Sequence, residues 1–256
     1  MRIHAPSDRN KRLARFLAAA NEDTQLKARW YMAQVNADRL DMNDHSWVHL
    51  QIVLNRALHL FRLLRRRGVR SAMEDVHAMA ADDAEVVIAG GCLLHDVGMS
   101  IHRVEHEAYS LFLADAHLDR MLGGIYEEPE RTVVASEILH AIIGHRSGGR
   151  PLTLEAGVVR VADALDMEHG RSRVAYETRL PSIHAISAAA IEEVLIVPGE
   201  RRTVRVEIRM NNSAGVFQVD ELLANKLRGS GLEDHVEVVA RINSEVEQGL
   251  QRVYEI

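Results

Sequence analysis

The chain has 256 residues, of which 47% are hydrophobic and 27% are charged, and its formal net charge is -6 at pH 7. This composition is typical of a folded globular protein, and the acidic balance disfavours a surface built to bind nucleic acid. The single cysteine, Cys92, excludes a disulfide within the chain, and no apolar run is long enough for a signal peptide or a membrane span. We therefore expect a cytoplasmic protein without a membrane partner.

Helical periodicity dominates the first two thirds of the chain. Apolar residues recur at helical spacing from residue 25 to about Gly68, with Asn43 or Asp44 as the expected N-cap of a helix and Gly68 as its C-terminal stop. The glycines and proline of residues 144–151 predict a loop. Further helices are predicted at residues 83–96, 105–121, 129–145 and 153–168.

The tail of the chain has a different pattern. Residues 203–210 alternate between apolar and polar side chains, which predicts a half-buried strand, and the stretches VLIVP and HVEVVARI predict strands on either side of it. We therefore predict a mainly α protein, with an all-helical domain at residues 1–175 and a small α+β domain at residues 176–256. We expect truncation before about Ser187 to leave a folded helical domain.

Histidine and aspartate side chains interrupt four apolar segments. Burying such a group without a partner costs several kcal/mol, so each needs hydrogen bonds or a metal ion. Asp163 is the most informative, because an aspartate among apolar residues within a helix has poor helix propensity. The four segments are WVHLQIVLNRAL with His49, CLLHDVG with His95 and Asp96, IIGHRSG with His145, and VVRVADALD with Asp163.

This ordered pattern resembles the HD superfamily of metal-dependent phosphohydrolases, whose signature is a helix-borne His, an adjacent His-Asp pair and a distant Asp. The resemblance covers about residues 40–170, and it departs from the HDxxK variant because Met99 stands where that lysine would be. EHEAYSLFLA and AIIGHRSGGRPLTLEAGVVRVAD resemble two further segments of members that hold two metals. The metal ligands implied by the resemblance are His49, His95, Asp96, His106, His145 and Asp163.

The implied activity is hydrolysis of a nucleotide or another small phosphate ester by a metal-bound hydroxide. Four imidazoles and two carboxylates suit two divalent transition-metal ions, with Fe or Mn favoured and Co, Ni or Zn as alternatives. Asp96 has two oxygens and can bridge the ions, which makes it a catalytic residue as well as a ligand. Arg103 and Arg146 each follow a histidine and are candidate catalytic residues that hold phosphoryl oxygens.

Several alternatives stay open at this level. His45 is a rival of His49 as first ligand, His102 is a rival of His106, and His140 is a candidate substrate contact or packing residue. The same six ligands would also suit an HD-type di-iron oxygenase, and a ligand-sensing protein without enzymatic activity is a third reading. Composition and pattern are compatible with a homo-oligomer.

Overall fold

The structure is a computed structural model that describes residues 1–146, 148–168, 183–243 and 253–255. Its α-helices are α1 (Lys11–Glu22), α2 (Thr24–Arg39), α3 (Trp47–Arg66), α4 (Ala72–Asp75), α5 (Ala81–Leu94), α6 (His106–Leu122), α7 (Glu130–Gly144), α8 (Leu154–Leu165), α9 (Ile183–Ala189) and α10 (Asn225–Leu227). Its strands are β1 (Ile191–Pro198), β2 (Val204–Met210), β3 (Val236–Ile242) and β4 (Val253–Glu255). The prediction of a mainly α protein, with a helical region followed by a small α+β region, is confirmed.

The long helical pattern that begins at residue 25 is two helices, α2 and α3, with a turn between them. The predicted N-cap is wrong, because Ser46 caps α3 by accepting a hydrogen bond from the N–H of Val48 at 3.1 Å. Asp44 instead accepts a hydrogen bond from the N–H of Ser46 at 2.8 Å and so shapes the turn before the cap. The predicted stop is confirmed, since α3 ends at Arg66 and Gly68 follows with φ 85°.

The hydrophobic core of the helical region forms around α5. Every residue of α5 except Asp82 is buried, because α3, α7 and α8 pack around it. A helix that is apolar on all sides is stable only when other helices cover it. Because α5 is covered by other helices, the polar residues directly after its C-terminal end, His95 and Asp96, are buried as well.

The tail forms a sheet with the order β1-β2-β3-β4. β1 and β2 are antiparallel, β2 and β3 are parallel, and β3 and β4 are antiparallel. The predicted alternation of residues 203–210 is confirmed, since the apolar side chains of β2 face the core. A parallel pair needs a long crossover, and residues 211–235 supply it with a π-helix (Gln218–Ala224) and α10.

The crossover and the sheet pack directly on the helical region. Apolar residues of the helices and of β1, β2 and β3 belong to one buried cluster. A Cβ added to Gly157 of α8 would lie 2.2 Å from the carbonyl oxygen of Ser230, so only glycine allows this close approach. The predicted boundary at residues 175 and 176 lies outside the described residues, and the division into two domains stays a prediction. The shared core favours a fold in which the helical region and the C-terminal region stabilise each other.

In the part of the chain that the structure describes, helices lack the combination of length and apolar character that crossing a bilayer requires.

Candidate metal centre

The predicted ligands lie at the ends of five helices that meet on one side of the core. All six residues have side chains that are buried or nearly so, which removes them from bulk water. His49 lies in the first turn of α3, His95 and Asp96 directly follow α5, His106 begins α6, His145 directly follows α7, and Asp163 lies in the last turn of α8.

A sharp change of backbone direction lets the adjacent residues His95 and Asp96 face one site. The chain leaves α5 at His95 and enters a short 3₁₀ helix after Asp96. The N–H of Gly98 donates to Ser110 Oγ at 2.8 Å, and Ser110 Oγ donates to the carbonyl of His95 at 2.6 Å. A Cβ at Gly98 would lie 2.0 Å from the carbonyl oxygen of His106. Only glycine therefore lets this turn pack against α6 and bring His106 beside Asp96.

One half of the centre forms around Oδ2 of Asp96. This oxygen lies 3.6 Å from His49 Nε2 and 3.3 Å from His95 Nε2. Oδ1 of Asp163 lies 3.4 Å from His49 Nε2 and 3.7 Å from His95 Nε2. Two imidazole nitrogens and two carboxylate oxygens thus surround one point.

The other half forms around Oδ1 of the same aspartate. Asp96 Oδ1 lies 3.2 Å from His106 Nε2 and 3.9 Å from His145 Nε2. Glu107 is close to this half, with its Oε2 atom 3.3 Å from His106 Nδ1. The two oxygens of Asp96 therefore face two different pairs of histidines.

The histidine hydrogen bonds favour the tautomer that binds metals. The Nδ1 atom of each ring lies within hydrogen-bond distance of an oxygen, and an N–H donated there leaves the Nε2 lone pair free for an ion. The Nδ1 contacts are His49 to Asp166 Oδ2 at 2.6 Å, His95 to the Cys92 carbonyl at 2.9 Å, His106 to the Arg103 carbonyl at 3.0 Å, and His145 to the Ile142 carbonyl at 2.5 Å.

The spacing of the donor atoms also fits a metal. Two ligands of one transition-metal ion lie about 3 to 3.5 Å apart when each is about 2.1 Å from it. Most of the Nε2-to-carboxylate distances lie near this range and are longer than a good N–H···O hydrogen bond. Nε2 of His95 is buried and has no hydrogen-bond partner within the described chain. An ion would satisfy it.

Burial and the charges of the cluster shift the pKa values of its members in opposite directions. Burial lowers the pKa of His95, but the charges of Asp96 and Asp163 outweigh burial and raise it to about 10. Burial raises the pKa of Asp96, yet His95 and His106 hold it well below its usual range. Burial also raises the pKa of Asp163, and Lys226 and the site histidines reverse that effect. Burial and the neighbouring cations lower the pKa of His145.

A cavity of about 530 Å³ opens beside the cluster. This volume lies in the range of small-molecule binding pockets. Among the described residues that line it, carboxylates outnumber cations. The acidic residues are Asp41, Asp96, Glu107, Asp163, Asp166 and Glu221, and the cationic residues are Arg103 and Lys226. Two divalent ions would therefore bring the net charge of the cavity lining to about zero. If only the two ligand carboxylates, Asp96 and Asp163, are counted against the ions, the net charge is instead +2.

His45 and Arg103 lie at this cavity. His45 precedes the N-cap of α3, so it is not on the same helical face as His49, although the ring centroids are 5.7 Å apart. Its Nδ1 lies 2.6 Å from the Asn43 carbonyl. Nη1 of Arg103 lies 2.7 Å from His106 Nδ1. Nδ1 of His106 cannot accept a hydrogen bond from Arg103 while it donates its own N–H to a carbonyl. A His106 that binds metal through Nε2 therefore leaves the guanidinium of Arg103 available to the cavity.

The remaining predicted residues lie elsewhere. His102 is exposed, and its Nδ1 accepts a hydrogen bond from the N–H of Val104 at 3.0 Å. His140 accepts one from the N–H of Leu152 through Nε2 at 3.0 Å. His140 and Arg146 line a separate pocket of about 340 Å³ at the loop that follows α7. The structure does not bring these three residues to the His and Asp cluster.

Three residues of the site region were missed from the sequence. Asp166 follows Asp163 by three residues, a spacing that could have indicated its contact with His49. Glu107 is adjacent to His106, but acidic residues are common in the first turn of a helix, so its position alone does not indicate a metal site. Lys226 carries no local signal, because only the tertiary fold brings it to Asp163. Met99 is buried against Ala33 and Ala37 of α2 and does not line the cavity.

These observations define a class of protein in which a helical scaffold holds a buried cluster of histidine and aspartate side chains. The family model described as HD domain matches residues 53–168, a range that begins just after His49 and contains the other five predicted ligands. Uncharacterized protein MJ1020 of Methanocaldococcus jannaschii is 37% identical over 207 residues, which are 81% of this chain and 80% of that protein. The chain belongs to the HD domain family, a superfamily of metal-dependent phosphohydrolases.

Proposed function

We propose that this protein is a metal-dependent phosphohydrolase that cleaves a nucleotide or another small phosphate ester. The observation that carries the proposal is the position of Asp96, whose two carboxylate oxygens face two separate pairs of imidazole Nε2 atoms. A carboxylate in this position can bridge two ions, and a pair of ions suits phosphoryl transfer.

The donor set divides into two groups that share Asp96. His49, His95 and Asp163 would hold one ion, and His106 and His145 would hold the second, as their distances to the two oxygens of Asp96 and to Asp163 indicate. A shell of imidazoles and carboxylates suits first-row transition metals better than Ca²⁺ or Mg²⁺, so we propose two divalent ions with Fe or Mn favoured over Co, Ni or Zn. When bound, such ions would acidify a water molecule and neutralise phosphoryl charge.

The protein side chains would bind and orient the substrate. Arg103 lines the cavity and can donate paired hydrogen bonds to two phosphoryl oxygens. The buried histidines are fixed by their Nδ1 contacts, so little reorganisation is needed when the substrate enters. The acidic lining would repel a phosphate in the absence of ions, which supports a substrate that binds only to the metal-loaded protein.

Metal analysis of anaerobically purified protein, followed by a phosphate-release screen over nucleotides and nitrophenyl phosphate, tests the proposal. We expect about two transition-metal ions per chain and metal-dependent release of phosphate. Oxygen consumption without phosphate release would favour a di-iron oxygenase instead. Tight nucleotide binding without turnover would favour a sensor. A cytoplasmic location and homo-oligomerisation stay predictions.

A further inference from the structure

Lys226 brings a positive charge from the tail of the chain to the cavity of the helical region. Its side chain is only 18% exposed, and Nζ lies 3.1 Å from Asp163 Oδ2. Nζ also donates a hydrogen bond to the carbonyl of His145. The ammonium group therefore lies between a residue of each half of the metal centre.

The backbone of Lys226 is fixed to the helix that carries Asp163. Arg160 of α8 is buried, and its Nε donates to the carbonyl of Lys226 at 2.8 Å. Nη2 of the same guanidinium donates to the carbonyl of Asn225 at 3.1 Å, and Nη1 donates to the carbonyl of Gly149 at 2.8 Å. Arg160 thus joins α8, the loop after His145 and the segment of Lys226. The segment that carries Lys226 is thereby attached to the core, and the side chain of Lys226 is largely buried.

The position of this cation does not favour a role in holding metal. Lys226 and a divalent ion would compete for the carboxylate of Asp163, and like charges repel, so the ammonium lowers metal affinity. A bound anion offsets this repulsion because it attracts both the ammonium group and the metal ion. An ammonium has three N–H donors, and the two contacts of Lys226 to Asp163 and His145 leave one for a ligand.

We propose that Lys226 binds a phosphoryl oxygen of the substrate, so that the C-terminal region completes the active site. This inference rests on the proposed hydrolase function for the nature of the substrate, although its test measures binding. Arg103, beside His106, and Lys226, beside His145 and Asp163, are the cations among the described cavity residues, and they approach the centre next to different ligands. The substrate phosphate would lie between them.

The experiment uses the full-length, metal-loaded protein and inorganic phosphate as the probe. Phosphate affinity is measured by isothermal titration calorimetry for wild type, Lys226→Met and Lys226→Arg, and metal content is measured for each variant. Loss of a hydrogen bond to a charged group should weaken phosphate binding about 10-fold to 100-fold in Lys226→Met. Lys226→Arg should recover most of the phosphate affinity. Both variants should retain the metal content of wild type, and the metal affinity of Lys226→Met should equal or exceed that of wild type, because a competing cation has been removed from Asp163.

Arg228→Met is the matched control, because it removes a positive charge from the same segment at an exposed position outside the cavity. It should bind phosphate like wild type. Unchanged phosphate affinity in Lys226→Met, or a wild type that binds no phosphate, overturns the inference. Loss of metal from Lys226→Met also overturns it, since that result assigns Lys226 to ligand positioning. Phosphate binding that depends on Lys226 in a protein that hydrolyses no ester would support the inference and refute the proposed function.

Discussion

Two buried histidines of this protein contact an aspartate in the same way, yet they belong to different kinds of site. His49 Nδ1 lies 2.6 Å from Asp166 Oδ2, and His117 Nδ1 lies 2.8 Å from Asp23 Oδ2. Asp23 also accepts hydrogen bonds from Arg120 at 2.7 Å and, as the N-cap of α2, from the N–H of Leu26 at 2.9 Å. That aspartate joins α2 to α6 as part of the structure.

The difference lies at the second ring nitrogen of the site histidine. Nε2 of His49 faces carboxylate oxygens of both Asp96 and Asp163 at 3.4 to 3.6 Å. A buried pair of histidine and aspartate is therefore not evidence for a metal centre by itself. Convergence of further ligand atoms on the opposite nitrogen is the informative feature, and the predictions below test it.

Asp96→Ala should have the largest effect, because each half of the centre uses one oxygen of this residue. We expect loss of both ions and of any metal-dependent activity, while the circular dichroism spectrum stays helical because Asp96 follows the end of α5. Metal content is measured by mass spectrometry. Asp115→Ala, an exposed change on α6, should retain both ions. Normal metal content in Asp96→Ala would refute the bridging role.

Replacing His106 or His145 with alanine should remove one ion and leave the other. Both rings face Oδ1 of Asp96, whereas His49, His95 and Asp163 remain to hold the first ion. The metal count should fall from about two to about one. Hydrolysis should fall by more than the ~10-fold to 100-fold that is typical of outer-shell changes.

The controls for that change are His102→Ala and His140→Ala, since neither residue lines the cavity. Each should keep two ions. If these controls lose the second ion while the His106 and His145 variants retain it, the wrong histidine of each neighbouring pair has been assigned to the centre.

The sequence predicted more of the helices than of the surroundings of the site. Helix positions follow from local periodicity, and the ligand segments stand out because polar residues in apolar helices are costly. Ser46 was missed as the N-cap because several capping residues are adjacent at residues 43–46, and only the tertiary structure selects one. Lys226 was missed because its contact with Asp163 joins residues 63 positions apart. No local pattern records such a contact.

Asp166→Asn should have a smaller effect than loss of a ligand, because Asp166 acts through His49. The amide keeps the shape of the side chain but makes a weaker hydrogen-bond acceptor, so metal affinity of the first position should fall about 10-fold to 100-fold. Glu107→Gln is the matched change beside His106 and should affect the second position. Competition with a chelator measures both. Equal affinities for wild type and Asp166→Asn would remove Asp166 from the centre.

Asp23→Asn, in the structural pair, should change stability and leave metal binding intact. Burial raises the pKa of Asp23, but His117, the N–H of Leu26 and Arg120 outweigh burial and lower the pKa to about 2 from the usual 3.8. A carboxylate with a lowered pKa stabilises the fold fully above about pH 4, and this contribution is lost as pH falls towards 2. Asparagine can retain the N-cap through Oδ1, so the variant removes the charge and the acceptor oxygen that faces His117 and Arg120 but keeps the cap.

After allowance for solvent screening, we expect Asp23→Asn to lower the free energy of unfolding by about 1 kcal/mol at pH 7. The difference from wild type should shrink below pH 4, because the carboxylate of Asp23 becomes protonated in the unfolded chain near pH 4 and in the folded protein only as the pH approaches 2. Urea unfolding at pH 7, 4 and 3 measures this difference, and Asp23→Ala should cost more at every pH because it also removes the cap. A difference that does not change with pH would show that the charge of Asp23 does not stabilise the fold. Metal loss from Asp23→Asn would instead end the distinction between the two pairs.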